Sequence, residues 1–403
     1  MTNLVALRSE IEEALREHVL QCWFPRCIDE LEGGYHQNYA NDWAPQEDGT
    51  RDLVFQARML WVCATAARLR EDLRDEFTVY ADHGMQGLQV FEDNEYGGLQ
   101  VQLNSNTHKH SYAIAFALFA YSAYFRLRGD VGTYGKLNSL FDWWQRLGRD
   151  REHGGFFDVL TREGTPVLDD AGFAPLIPTA PGLRSANTLI HIVEALTEQY
   201  AAAPNEVVKQ MLLEVLSGLE TSIARNECQM LTSYTREWAP VDRRISFGHD
   251  IEAVTLVLDA RRALGIRENS STQQLARRVM SRSIDWKLGG MYFQTNRRFG
   301  RDKRKMGWVQ AEALLGLLTL HQRTGGERSR YLDAFVNVWA FVSNNLIDEA
   351  RKGIFAVADR EGNVLDNRKG HRWKACYHYA RALLRVSDML EVIVRDARRS
   401  RSW

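Results

Sequence analysis

Gly154-Gly155-Phe156-Phe157-Asp158-Val159-Leu160 decides how this chain folds: a glycine pair turns the backbone, and a short extended apolar piece follows at once. The same turn recurs at Gly33-Gly34-Tyr35, Gly97-Gly98-Leu99 and Gly289-Gly290-Met291, and with one glycine at Gly353-Ile354-Phe355. Successive first glycines lie 64, 57, 135 and 64 residues apart. The long interval is about two of the others, which places a copy stripped of its glycines near residue 222. Spacing of this size marks repeated supersecondary units, and six units of roughly 60 residues fill the chain. Each unit has room for two helices of ordinary length.

Between the turns, apolar residues recur at three and four steps over 53–69, 111–127, 187–200, 250–264, 308–321, 331–346 and 377–394. Several of these helices are apolar on most faces, which suits an inner layer. The segments 205–226 and 271–285 are one-sided and suit an outer layer. Extended pieces after the glycine turns run into polar turns at Thr161-Arg162-Glu163-Gly164 and Asp359-Arg360-Glu361-Gly362, which predicts small β-hairpins at one end. A helical hairpin cannot bury its apolar face alone. The expectation is therefore all-α: one domain over residues 1–403, an (α/α)6 barrel or toroid of six helical hairpins around a funnel. An open solenoid is the competing arrangement.

The 403 residues are 45% hydrophobic and 26% charged with a net charge of −1, so bulk electrostatics attract neither nucleic acid nor membrane. The basic stretch 395–403 reads as a solvated helix end, and Pro175–Pro181 as an irregular loop. Cys22, Cys27, Cys63, Cys228 and Cys376 are odd in number and form no CxxC pair, which favours free thiols in a reducing, cytoplasmic setting. Residues 1–20 read as an amphipathic helix on Leu4, Leu7, Ile11 and Leu15, and no apolar run is long enough to span a membrane. Oligomeric state stays open between monomer and homodimer.

A toroid places its site where inner helices converge, so polar residues at the starts of apolar helices are the candidates. Asn187, His191 and Glu194 fall on one helical face; His249 and Glu252 lie three apart; Trp308 and Glu312 are one turn apart; His378 opens the last long helix, with Trp373 just before it. Arg58 is a charge inside an apolar run. Singly, each has an ordinary explanation as a cap, a packing residue or a local hydrogen bond. Three histidines, each beside a carboxylate or an aromatic, are better explained by a shared site. Both motifs run His-x-x-Glu and no cysteine joins them, which argues against a metal centre; GxxxxGK[ST], GxGxxG and GxSxG are absent, and no cofactor is expected. Tryptophan faces suit sugar rings. Histidines take and return protons near neutrality, and an arginine can stabilise a developing enediolate. The combination points to proton abstraction beside the carbonyl of an opened aldose, a small-molecule sugar substrate.

At Asn187-Thr-Leu-Ile-His191-Ile-Val-Glu-Ala, Ser246-Phe-Gly-His249-Asp-Ile-Glu252-Ala, Trp308-Val-Gln-Ala-Glu312-Ala-Leu and Trp373-Lys-Ala-Cys-Tyr-His378 the chain resembles the N-acylglucosamine 2-epimerase superfamily, most closely its cellobiose 2-epimerase branch, over about residues 23–384. The resemblance implies an (α/α)6 barrel and a metal-free isomerase: an epimerase that inverts C2 of a reducing-end aldose of glucose or mannose configuration, in a cellobiose-type disaccharide or the free sugar. It implies that His249 and His378 remove and return the C2 proton on opposite faces. Arg58, Asn187 and His191 would hold the open-chain oxygens, Glu252 and Glu312 would orient histidines and hydroxyls, Trp308 and Trp373 would stack on sugar, and Tyr112 would lie near the reacting ring. Members of the disaccharide branch commonly carry Trp where Thr255 stands and an aromatic where Gly307 stands, which makes a monosaccharide a rival substrate. Related aldose–ketose isomerases often have His where Ala115 stands. A mannose-to-fructose isomerase is the nearest alternative; a glycoside hydrolase using Glu252 and Glu312 and a non-catalytic carbohydrate- or protein-binding module are further ones.

Overall fold

Helices that alternate between fully and half-buried build two concentric rings. The computed structural model describes residues 3–46, 49–103, 108–169, 177, 179–296, 298–323 and 330–399. Within them twelve α-helices follow in order: α1 Leu4–Glu13 (continued by a π-helical stretch, Ala14–Leu20), α2 Leu53–Leu69, α3 Arg74–Gln89, α4 Ser111–Arg128, α5 Val131–Leu147, α6 Ala186–Ala202, α7 Glu206–Arg225, α8 Phe247–Leu264, α9 Ser270–Ser283, α10 Gly307–Arg323, α11 Arg330–Asn345 and α12 Tyr377–Arg399. The even-numbered helices form the inner ring, each packed on the next, and α12 closes onto α2. The toroid is therefore closed. The sixth hairpin is made by the two ends of the chain, since α12 packs against α1. Burial follows the residue pattern: α4 is buried without a break from Ser111 to Tyr124, whereas α9 buries only Thr272, Leu275, Ala276, Val279 and Ser283.

Short strands stitch the units at the end where the inner helices begin. Strands β1 His108–His110, β3 Arg184–Ser185, β5 Ile245–Ser246 and β8 Lys305–Met306 each lead directly into α4, α6, α8 and α10. They pair antiparallel with β2 Val159–Thr161, β4 Ser233–Tyr234, β6 Gln294–Asn296 and β9 Val357–Ala358, which follow the next outer helix; β7 Gly300–Asp302 and β10 Val364–Asp366 complete two three-stranded sheets. The expected hairpin turns are present, with Thr161 N–H donating to Thr165 O at 2.7 Å and Asp359 N–H to Asn363 O at 2.9 Å.

The glycine turns need glycine for two reasons. Gly98 and Gly290 have φ of +70° and +76°, and a Cβ on them would lie 2.9 Å from the Trp143 ring and 3.1 Å from the Phe341 ring of the neighbouring outer helices. The stripped copy is not at residue 222, which lies inside α7. It is at Glu227 and Cys228, just after that helix, whose φ values of 56° and 55° reproduce the left-handed pair without glycine. The expected ends also move slightly: the 271–285 segment is helical over Ser270–Ser283, and α12 extends to Arg399, with 400–403 outside the described residues. Of the loop expected at 175–181, only 177 and 179–181 are described.

An aspartate four residues ahead of the first left-handed residue anchors five of these loops. Asp29, Asp93, Asp150, Asp285 and Asp348 donate their N–H across the turn to the carbonyls of Gly34, Gly98, Gly155, Gly290 and Gly353. Their carboxylates bind cations placed shortly before the next inner helix: Arg51 for Asp29, Lys109 at 3.1 Å, Arg184 at 2.6 Å, Lys305 at 3.4 Å and Lys369 at 2.6 Å. Hairpin-turn arginines Arg162, Arg236 and Arg360 add a second cation to Asp93, Asp150 and Asp285 at 2.9, 2.7 and 2.8 Å. Among the described residues, no helix is long and apolar enough to cross a membrane.

Candidate active site

Capped helix starts aim the candidate residues into the funnel. Ser185 Oγ accepts from Asn187 N–H at 3.1 Å, Ser246 Oγ from His249 N–H at 3.3 Å, and His110 Nδ1 from Tyr112 N–H at 3.1 Å. Strand, cap and helix thereby set Tyr112, Asn187 and His249 in the first turns of α4, α6 and α8, and Trp308 and His378 stand in the first turns of α10 and α12. Arg58, His191, Glu252 and Glu312 follow one turn further along their helices.

Two cavities adjoin there. The larger, about 780 Å³, is lined by Tyr112, Asn187, His249, Phe293 and Trp373 among others. The smaller, about 330 Å³, is lined by Trp308, His378 and the same Trp373. Trp308 joins the histidines: its ring centroid is 4.9 Å from His249 and 5.7 Å from His378. Residues 249 and 378, 129 positions apart in sequence, thus flank one indole.

Beneath lies a buried charge network centred on Arg381. It donates to Glu312 Oε2 at 2.6 Å and pairs with Glu194 Oε1 at 3.0 Å. Glu312 Oε1 meets His378 Nδ1 at 2.8 Å, Glu194 Oε2 meets His191 Nδ1 at 2.8 Å, and Tyr377 OH donates to Glu194 Oε1 at 2.8 Å. Glu252 is different: both of its oxygens lack a hydrogen-bond partner, and His191 Nε2 lies 3.8 Å from its Oε1. Arg58 donates to Tyr112 OH at 2.8 Å and lies 4.4 Å above the Phe116 ring, with its Nε unpartnered.

The electrostatics follow from burial against partners. Burial pushes His249 down to about 3, helped by His191 and His378. Burial pulls His378 down to about 4 against the opposing pull of Glu312, and His191 is lowered too. All three imidazoles are neutral at ordinary pH and can both accept and donate a proton. Burial would raise Glu194, but Arg381, His191 and Tyr377 outweigh it and hold the carboxyl at about 2. Glu312 is lowered because Arg381 and His378 overcome burial. Burial and the neighbouring Glu312 push Glu252 well above the usual range, so it stands as a neutral acid.

Glu252, Glu312 and His378 have ligand atoms within 4.8 Å of one another. Glu312 already spends its oxygens on His378 and Arg381, and a cation would sit against that guanidinium; the triad is built to hold a proton. The same commitment of Glu312 sets it apart from a free carboxyl flanking a glycosidic bond.

The residues singled out in the sequence, Glu194 among them, meet around this funnel or in the charge network beneath it. Tyr377, Arg381 and Phe116 join them without having been singled out; Arg381 carries the signal used for Arg58, a charge in an apolar helix. Thr255 is buried: its hydroxyl donates to Ile251 O at 3.3 Å and it packs beside Gly316.

Comparison with known proteins gives a consistent picture. The family model described as N-acylglucosamine 2-epimerase (GlcNAc 2-epimerase) matches residues 33–382. The cellobiose 2-epimerase of Bacteroides fragilis is 27% identical over 394 residues, covering 94% of this chain and 98% of that protein. The D-mannose isomerase of Marinomonas mediterranea is 25% identical over 410 residues, covering 94% and 96%. The structure of cellobiose 2-epimerase from Spirochaeta thermophila superposes with a TM-score of 0.88 at 27% identity, covering 97% of this chain and 98% of the other.

Proposed function

The chain belongs to the N-acylglucosamine 2-epimerase family, and from that premise we propose that it is a sugar 2-epimerase, interconverting glucose and mannose configurations at C2 of a free reducing end. The observation that carries this is the pair of neutral imidazoles, His249 and His378, both within 6 Å of one indole, their ring centroids 4.9 and 5.7 Å from that of Trp308. Ring opening creates a C1 carbonyl and makes the C2 proton acidic. One imidazole removes it; the other returns a proton to the opposite face. Arg58, held by Tyr112, stabilises the enediolate oxygen with its remaining donors. Asn187 and His191 hold open-chain oxygens, Glu312 fixes the tautomer and orientation of His378, and Glu252 serves as a neutral hydrogen-bonding acid. Trp308 and Trp373 receive sugar faces. The mechanism uses this chain's own side chains throughout, within one catalytic unit over residues 1–403.

Substrates are a cellobiose-type disaccharide or free glucose and mannose. The larger cavity is within the size range of small-molecule sites. Five free cysteines fit a reducing, cytoplasmic compartment. The test is turnover of cellobiose, glucose and mannose in D2O: the epimer should carry deuterium at C2, and unlabelled epimer would refute the proton-transfer scheme. A second reading, an aldose–ketose isomerase, is supported by the likeness to the D-mannose isomerase. It requires the proton to return to C1, so ketose as the main product would establish it.

A further inference from the structure

Asp158, just ahead of β2, is a buried carboxyl that neither the loop anchors nor the proposed chemistry uses; it is 5% exposed. It makes no ion pair among the described residues, and the neighbouring Arg184 is committed to Asp150 at 2.6 Å. Three donors hold it instead. Its Oδ2 accepts from Ser185 N–H at 3.0 Å and from Thr188 Oγ1 at 2.8 Å, and the Thr179 hydroxyl is hydrogen-bonded to the same carboxyl. Against these donors, burial pushes the carboxyl up to about 7. A buried carboxylate without a counter-charge costs stability, and such groups concentrate at functional sites.

Asp158 ties two helix starts together. Its carbonyl accepts from Ser111 N–H at 2.8 Å, one residue before Tyr112 at the start of α4. Its side chain holds the start of α6, where Ser185 caps Asn187 and Thr188 follows it. A second route closes the circuit. His110 Nδ1 accepts from Tyr112 N–H at 3.1 Å, which leaves the proton of the neutral imidazole on Nε2, 3.3 Å from Thr179 Oγ1. Burial pulls His110 down to about 3, so the ring is neutral. Tyr112, His110, Thr179, Asp158 and Ser111 thus form one closed chain of hydrogen bonds. Tyr112, Thr179, Ser185, Asn187 and Thr188 line the larger cavity.

We propose that Asp158 is a positioning residue for the epimerisation. Acting on α4 through its main chain and on α6 through its side chain, it sets the Arg58–Tyr112 pair against Asn187 and His191, so that both groups grip the open-chain oxygens. The role rests on the epimerase reading. The grip tightens as charge develops on the enediolate, so loosening it slows the chemical step more than it weakens sugar binding.

Steady-state epimerisation in D2O by wild type, Asp158→Ala, Asp158→Asn and Thr188→Val tests this, with the folded fraction measured by circular dichroism. Asp158→Ala is expected to lower kcat per folded molecule by about ten- to a hundredfold, the scale of a misplacement of up to one ångström. KM should stay within about threefold of wild type. Asp158→Asn, which keeps an acceptor for Ser185 and Thr188, and Thr188→Val, which removes one donor, should each lower kcat by about threefold or more at unchanged KM. If Asp158→Ala does not fold, these two variants decide. An unchanged kcat per folded molecule, or a fall in kcat/KM carried by KM alone, would overturn the positioning role. No epimer from the wild type, or epimer without deuterium at C2, would instead overturn the epimerase reading beneath it.

Discussion

Buried carboxylates meet buried cations in two regions of this protein, and the two are finished differently. In the loop anchors, none of the aspartates or their cations is left without a partner; Asp93 and Lys109 are wholly buried and fully engaged. In the funnel floor, both Glu252 oxygens, Arg58 Nε, Asn187 Oδ1 and Arg381 Nη2 have none. The loop anchors are closed networks, whereas the funnel floor keeps open groups that a polyhydroxylated ligand can complete.

The contrast can be broken experimentally, starting with the largest effect. His378→Ala or His249→Ala should lower epimerisation by about 10³-fold or more, the scale of a lost general acid or base, while the thermal midpoint stays near wild type. A retained rate in either variant would mean the open network is not the reaction centre. Asp93→Ala strands Lys109 in the interior and should cost about 3–5 kcal/mol of stability, as broken buried pairs do, with kcat per folded molecule unchanged; chemical denaturation measures it.

The pH profile sharpens the same comparison. His249 and His378 are lowered to about 3 and about 4 by burial. They stay neutral, and competent as bases, until pH falls to that range. The acid limb of kcat/KM should lie near pH 4 and not near 6.5. Glu312 opposes the lowering of His378, so Glu312→Gln should move that limb further down as well as reduce the rate. Because the unfolded chain protonates these histidines below about 6.5, stability from them is present above that pH and declines as pH falls toward 4; initial rates on freshly diluted enzyme avoid the confusion.

Glu252→Gln replaces a neutral acid by a neutral amide and should change stability by no more than about 1 kcal/mol, in contrast to the anchors. A loss comparable to Asp93→Ala would show that Glu252 is ionised and paired. The smallest change concerns the sixth loop. Glu227 holds a φ of 56° without being glycine, so Glu227→Gly should stabilise by about 1 kcal/mol, the cost of a left-handed side-chain-bearing residue, read as a small rise in thermal midpoint.

Much of this was legible in sequence because it is local. Glycine pairs at a repeating interval, apolar periodicity and polar residues at helix starts all report on neighbours within one turn of chain. The anchoring aspartates stood in plain view four residues before each left-handed pair but were mute, because the cation that explains each lies 16 to 34 residues onward. The missing glycine copy was placed five residues early because the left-handed conformation is borne there by Glu227 and Cys228. Arg381 gains meaning only by joining α6, α10 and α12 through Glu194 and Glu312.

By itself, then, the sequence determined six repeating units, which helices face inward and which side chains stand at their starts, since each depends on contacts a few residues long. Only the tertiary structure decided that the ring closes through α12 onto α1 and α2, that His249 and His378 share one tryptophan, and that Glu252 is neutral while Glu194 and Glu312 are not. Those properties depend on distance and desolvation between elements far apart along the chain, and no local pattern encodes either.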